Sequence, residues 1–220
     1  MKIIHDKIIR LKEKLLYVWS HGLTTINLLG LLSRVGIKIA PFCLYLESGE
    51  FLSKANIRPL LDKPYEVIFL NEQNIYLFKE FENYPPKKDE LYKLWENGSG
   101  CLCLRSEGAI LGYGWYDLNK CNYEYLSFEL KDNEAYTFKF NTAKHMRGKN
   151  IAPFLRVVLY AHLAQMRRNR FYSVTEIFNT PAIRFKEKIH ATPLCYYIYV
   201  NLFNVVNKSI KIKKMENHLA

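Results

Sequence analysis

The chain has 220 residues, of which 49% are hydrophobic and 24% charged, with a net charge of +11 and a pI near 9.3. That composition excludes a disordered or fibrous protein and allows one sizeable core, alone or with an extension. The positive balance points to acidic partners: a phosphorylated cofactor, an acidic carrier protein, nucleic acid or an anionic membrane surface.

Residues 2–17 place Ile4, Ile8, Leu11 and Leu15 at helical spacing, with Lys7, Arg10, Lys12 and Lys14 between them. A basic amphipathic helix of this kind packs its apolar stripe on the body of a protein, and it also suits peripheral contact with an anionic membrane. The apolar run from Leu15 to Leu32 is no membrane span, because Ser20, His21, Gly22, Thr24, Thr25 and Asn27 interrupt it. Residues 37–46 have strand character and lie between Gly36 and Ser48-Gly49. Pro59 and Pro64 mark a connector, after which residues 65–70 alternate as a strand does. A helix with Ile75, Phe78 and Phe81 inward ends at Pro85-Pro86, and Asp89 caps a shorter one carrying Leu91, Leu94 and Trp95.

Residues 97–100 turn the chain into a strand at 101–105, and Glu107-Gly108 joins it to residues 109–117 as a hairpin. Residues 123–130 read as a further strand, Asp132-Asn133 as a turn and residues 136–142 as the next strand. The strongest helix covers 151–167, with Ile151, Leu155, Val158, Leu159, His162, Leu163 and Met166 along one side. A strand at 172–177, a helix at 181–189, a Tyr-rich strand at 194–203 and a short strand at 209–212 complete the chain. There is no internal repeat. Cys43, Cys101, Cys103, Cys121 and Cys195 follow no metal-ligand spacing and read as buried thiols, which with no signal peptide predicts a reducing, cytoplasmic setting.

The chemistry concentrates at residues 142–155, where a strand breaks into a basic, Gly-containing turn and opens directly into the strongest helix. The first N–H groups of a helix have no intrahelical partner, and the helix dipole adds positive potential there. With Arg147 and Lys149 at its apex, this corner is suited to a pyrophosphate. It resembles the cofactor loop of the GNAT superfamily of acyl-CoA-dependent N-acyltransferases, Gln/Arg-x-x-Gly-x-Gly/Ala, here Arg147-x-x-Asn150-x-Ala152. Asn stands where the pattern has its middle Gly; after Gly, it is the residue best able to take a left-handed backbone angle. A second stretch is similar to the family's Asn-x-x-Ala-x-x-x-Tyr-x-Lys-x-Gly-Phe, with Asn179, Ala182 and Lys188 matching, Lys186 in the Tyr position and His190-Ala191 replacing Gly-Phe. Asn179 is at the same time a plain helix N-cap.

The resemblance covers roughly residues 64–213 and implies an α/β fold, an α+β mixed sheet with helices on both faces. It divides the chain into an N-terminal helical extension at 1–60 packed on the core, the acyltransferase domain at 61–213 and a tail at 214–220. It also implies acetyl-CoA or another acyl-CoA as cofactor. The strand edge Phe140, Asn141 and Thr142 would meet the pantetheine arm and supply an oxyanion N–H. The amides of Gly148, Lys149, Asn150, Ile151 and Ala152 would hold the pyrophosphate with Arg147, and Asn179 and Lys186 would face the cofactor. Glu129 and Glu134, with Glu176 behind them, are carboxylates able to serve as base; His145 reads as a phosphate contact. With the usual Tyr replaced by Lys186, the acid for the leaving thiolate is expected on the next strand, at Tyr197 among Tyr196, Tyr197 and Tyr199.

The expected activity is N-acetyl transfer to a small-molecule amine, such as an amino sugar or amino acid. An acyl carrier protein donor is an alternative that the basic surface suits. A non-catalytic module for nucleic acid or membrane rests on Arg167, Arg168 and Arg170 with Lys208, Lys211, Lys213 and Lys214, although no nucleic-acid motif accompanies them. The changes at Asn150, Lys186 and His190 also leave open a cofactor-binding fold without turnover.

Overall fold

The computed structural model describes residues 23–47, 57–81 and 93–214. The basic helix expected at 2–17, Pro85-Pro86 and the Asp89 cap lie outside the described residues. The described residues begin with α1 (Leu23–Arg34), β1 (Ile37–Glu47), β2 (Glu66–Leu70) and a tight 3-10 turn (Ile75–Glu80). Strands β3 (Gly100–Ser106), β4 (Ala109–Asp117), β5 (Lys120–Tyr123), β6 (Leu126–Glu129) and β7 (Glu134–Thr142) follow. The remainder is α2 (Ile151–Gln165), β8 (Arg170–Glu176), α3 (Thr180–Lys188), β9 (Thr192–Leu202) and β10 (Val206–Lys214). No helix among the described residues is long and apolar enough to cross a membrane.

The backbone clusters into two compact units, a larger one of residues 45–174 and 188–192 and a smaller one of residues 1–44, 175–187 and 193–220. In the larger unit the strand order is β8-β7-β4-β3-β2, with only the β7–β8 pair parallel among these neighbours. β3 and β4 are buried almost throughout, as strands covered on both faces must be. Glu107 and Gly108 join them with φ of 50° and 76°, the left-handed pair that a two-residue hairpin needs. One face of this sheet carries Cys101, Cys103, Tyr113 and Trp115 against Ile75, Phe78 and Phe81. The segment bearing those three was expected as a regular helix. It winds as a 3-10 turn because the Asn71 side chain accepts the N–H groups of Gln73 and Asn74, while Asn74 Oδ1 accepts that of Asn71.

On the other face α2 buries Ile151, Leu155, Leu159 and Leu163. The stripe is rotated from the expected one: Arg156 and Tyr160 are buried with it, whereas Met166 is exposed. The single strand expected at 123–130 is instead the separate β5–β6 hairpin, with Lys120 opposite Glu129 and Tyr123 opposite Leu126. Asp117 Oδ1 accepts the N–H groups of Asn119 and Lys120, which turns the chain early and starts the hairpin at Lys120.

In the smaller unit β10 pairs with β9, and β9 with β1. Gly36, at φ 87°, follows α1, and its carbonyl accepts the Phe203 N–H at 2.6 Å. Phe42 of β1 stacks on Tyr197 of β9 with ring centroids 5.2 Å apart. All five cysteines are buried thiols.

The approach of α2 to β4 is close enough to test. A Cβ added at Gly112 would lie 2.8 Å from Ile151 Cγ2 and 3.0 Å from the Asn141 carbonyl oxygen. Gly112→Ala should therefore destabilise the protein by about 1–3 kcal/mol, as overpacking does. Urea unfolding measures this, and an unchanged midpoint would mean that the helix stands further from the sheet.

Candidate active site

β7 and β8 pair over only three rungs, Glu134–Arg170, Ala135–Phe171 and Tyr136–Tyr172. At the last rung the Thr137 hydroxyl donates to the Tyr172 carbonyl at 3.3 Å, and beyond it the ladder stops. On its other edge β7 stays paired with β4 as far as Thr142, and the Ala143 N–H donates to the Leu111 carbonyl at 2.9 Å. Successive N–H groups of a strand alternate between its edges, so that of Thr142 points away from β4. Asn141 Oδ1 accepts it at 2.9 Å. The strand thus offers a backbone donor at an opening and meets it with its own side chain.

The same strand carries a bulge. Phe138 faces Trp115 and Asn141 faces Tyr113, which leaves Lys139 and Phe140 together opposite Gly114. Lys139 takes a left-handed φ of 49°, uncommon for a residue with a side chain. The Phe140 ring occupies the space a Cβ on Gly114 would need, 2.3 Å from that position.

Past Thr142 the chain makes a short 3-10 turn, Lys144–Met146, and enters α2 through Arg147–Asn150. Gly148 has φ 82°, and Asn150, the N-cap residue, has φ 58° and ψ 17°. Asn150 therefore adopts the angle for which the family pattern uses glycine. The Asn150 carbonyl accepts the first helical bond, from Phe154 at 3.0 Å, and the Lys149 carbonyl accepts the N–H of Leu60 at 3.0 Å. Among the described residues the N–H groups of Gly148, Asn150, Ile151 and Ala152 have no backbone partner, and Pro153 has no N–H to satisfy. The first turn of α2 holds no acidic side chain, although a helix N-terminus favours one. Lys144, Arg147 and Lys149 are exposed around it. Unpaired donors, a left-handed corner and basic side chains without a local carboxylate fit a pyrophosphate group.

Beneath the bulge lies a buried polar cluster that the sequence reading missed. Arg156 Nη1 lies 2.5 Å from Glu47 Oε2, 2.7 Å from Thr137 Oγ1 and 3.0 Å from the Tyr160 hydroxyl, which itself donates to Glu47. Arg156 is 5% exposed and Glu47 1%. Burial alone would lower the Arg156 pKa, but the charge of Glu47 and the Tyr160 hydroxyl outweigh it and hold the guanidinium above its ordinary value. Burial pushes the Tyr160 phenol well up, so it remains protonated and can donate. The Arg156 guanidinium carbon also sits 3.7 Å from the centre of the Phe140 ring. An Arg and a Tyr four residues apart beside the apolar stripe were the available signal; nothing in the sequence marks Glu47.

The other anticipated residues are placed as follows. Glu134 is buried at the paired end of β7, where Oε1 accepts from the Tyr172 hydroxyl at 2.9 Å and Oε2 from the Lys131 N–H at 3.0 Å. Glu129 is exposed on β6, 3.7 Å from Lys120. Glu176 and His145 are exposed. Asn179, Lys186 and Tyr197 belong to the smaller unit. Asn179 caps α3, its Oδ1 accepting the Ala182 N–H at 3.2 Å, and Lys186 is buried. His190, in the place of the motif's Gly, has the left-handed φ of 52°. The structure thus brings residues 140–152 together in the larger unit.

No protein-family model matches the chain, and no curated protein matches it significantly. Solved structures do. A tandem GNAT protein from the clavulanic acid biosynthesis pathway aligns at TM-score 0.53 and 11% identity, over 81% of this chain and 55% of its own. An acetyltransferase from the GNAT family of Colwellia psychrerythraea aligns at TM-score 0.52 and 17% identity, over 80% and 57%. The glucosamine N-acetyltransferase region of a fungal multi-domain β-N-acetylglucosaminidase aligns at TM-score 0.56 and 12% identity, over 81% and 23%. The chain thus spans little more than half the length of the first two. With strands that part after three rungs and a basic corner opening the following helix, this chain has the GNAT fold of those acetyltransferases.

Proposed function

We propose that this protein is an N-acyltransferase that moves an acyl group, acetyl first, from acyl-CoA to a primary amine of a small molecule such as an amino sugar or amino acid. The observation that carries the reading is the corner at 147–152: four backbone N–H groups without backbone partners among the described residues, beside the stretch of β7 past its last rung with β8. Bound acyl-CoA would supply a thioester open to direct attack by an amine. Arg147 and Lys149 would neutralise the pyrophosphate while the amides of Gly148 and Asn150–Ala152 bind it. The Thr142 N–H would turn from Asn141 Oδ1 to an acceptor on the ligand, and the Phe140–Thr142 edge would present an oxyanion donor.

For the amine proton, a water relay to exposed Glu129 fits better than Glu134, which would have to give up the Tyr172 hydroxyl. Tyr197 is the acid we assign to the departing thiolate; stacking on Phe42 fixes the plane of its ring. Asn179 and Lys186 are assigned to the cofactor side by motif position. A second reading replaces CoA by an acyl carrier protein, favoured by the net charge of +11.

CoA or acetyl-CoA at about 100 times its dissociation constant should stabilise the protein by roughly 2.7 kcal/mol in a thermal shift. Arg147→Ala should weaken that binding by about 1–3 kcal/mol, the loss of one charge-assisted hydrogen bond, and leave the unliganded melting temperature unchanged. Failure of every CoA species to stabilise the protein at millimolar concentration would sink the proposal. Stabilisation by an acylated carrier protein alone would move it to the second reading.

Tyr197→Phe should lower single-turnover acyl transfer about 10²–10⁴-fold while CoA affinity stays the same, as removal of a general acid does. Wild-type turnover in that variant would pass the role to Lys186 or to water.

A further inference from the structure

We infer that Arg156 is a positioning residue, a buried cation that fixes the bulge of β7 and so aims the Phe140–Thr142 edge at the opening where β7 and β8 part. The inference rests on the acyltransferase reading for its purpose, though not for its geometry.

Four contacts converge on this one guanidinium. Its stem comes from α2, one turn beyond the corner at 147–152. Nη1 reaches Thr137 Oγ1 at 2.7 Å, and Thr137 in turn donates to the Tyr172 carbonyl at the last rung shared by the two strands. The guanidinium carbon lies 3.7 Å from the centre of the Phe140 ring, and the same ring is seated where Gly114 lacks a side chain. Glu47, through Oε2, holds Nη1 at 2.5 Å, and the Tyr160 hydroxyl holds it at 3.0 Å. Arg156 therefore ties the point where the strands part to the bulge three residues further on, and both to the helix whose N-terminus forms the corner.

The bulge needs such a clamp. A left-handed lysine in a strand is strained, and it persists only where its surroundings leave no alternative. The clamp acts on Phe140, the neighbour of Lys139, by holding its ring over the bare Cα of Gly114. Stability alone is a weak account of the cluster, because a buried ion pair often contributes no more than well-packed apolar side chains would. A guanidinium that lies over a ring and carries its hydrogen bonds at Nη1 does something an apolar residue cannot: it links a β7 hydroxyl, a β7 ring and a helix through one group.

Two variants separate positioning from plain packing. Phe140→Leu removes the ring and leaves every buried charge compensated. Arg156→Lys keeps the charge and loses the flat stacking face. Each is read by hydrogen exchange in the unliganded full chain, by thermal melting and by CoA calorimetry. Exchange at residues 139–142 should rise about tenfold, the size of one desolvated cation–π contact, with the β3–β4 amides unchanged. CoA affinity should fall by a similar factor, with melting temperatures shifted by only a few degrees. Unchanged exchange at 139–142 would overturn the inference, and so would a rise spread evenly over the larger unit. If wild-type protein binds no CoA, the acyltransferase reading fails, and the exchange data still decide whether Arg156 holds the bulge.

Discussion

Everything at the candidate site depends on the two bare Cα positions of β4. Gly112 lets Ile151 and Leu155 of α2 settle against the sheet, and Gly114 gives the Phe140 ring its seat. Because α2 lies this low, its first turn comes up directly beside the end of β7, and four residues suffice to join its entry to the preceding 3-10 turn. Because Phe140 is seated on Gly114, the extra residue of β7 has a defined place to go. A helix held further off by a methyl group at position 112 would present the same N–H groups in another place. The chemistry of the corner is written in residues 147–152, but its position is written in β4.

The charges divide into two classes with different physics. Lys144, Arg147 and Lys149 are exposed, where water and salt screen them and each contributes little to folding. They act on an arriving anion. Glu47 and Arg156 are shielded from water, so neither is tolerable without the other, and removing one would leave the full desolvation penalty of its partner. Their role is internal geometry. A net charge of +11 describes the first class and is silent about the second.

Much of this was legible in the sequence because it is local. The β3–β4 hairpin announced itself through Glu107-Gly108, α3 through the Asn179 cap, and the corner through a basic turn opening an apolar helix. Asn150 was legible for a sharper reason: few residues tolerate a left-handed angle, and it adopts one. What escaped is set by partners distant in sequence or by competing side-chain hydrogen bonds. Asn71 and Asn74 tightened an expected helix into a 3-10 turn, and Asp117 converted one expected strand into a separate hairpin. The buried face of α2 could not be fixed by periodicity either. Arg156 reads as a surface residue until Glu47 is placed beside it.

That pairing has a bearing on how the chain is made. Glu47 leaves the ribosome 109 residues before Arg156 does, an interval of roughly 5–20 s at ordinary elongation rates. Throughout that interval the Glu47 carboxylate lacks its cation, and burying it charged would carry an uncompensated desolvation cost. A contact of such long separation is closed against the entropy of the intervening loop. The cation inferred to hold the bulge would then also be the group whose arrival lets the Glu47 carboxylate leave water.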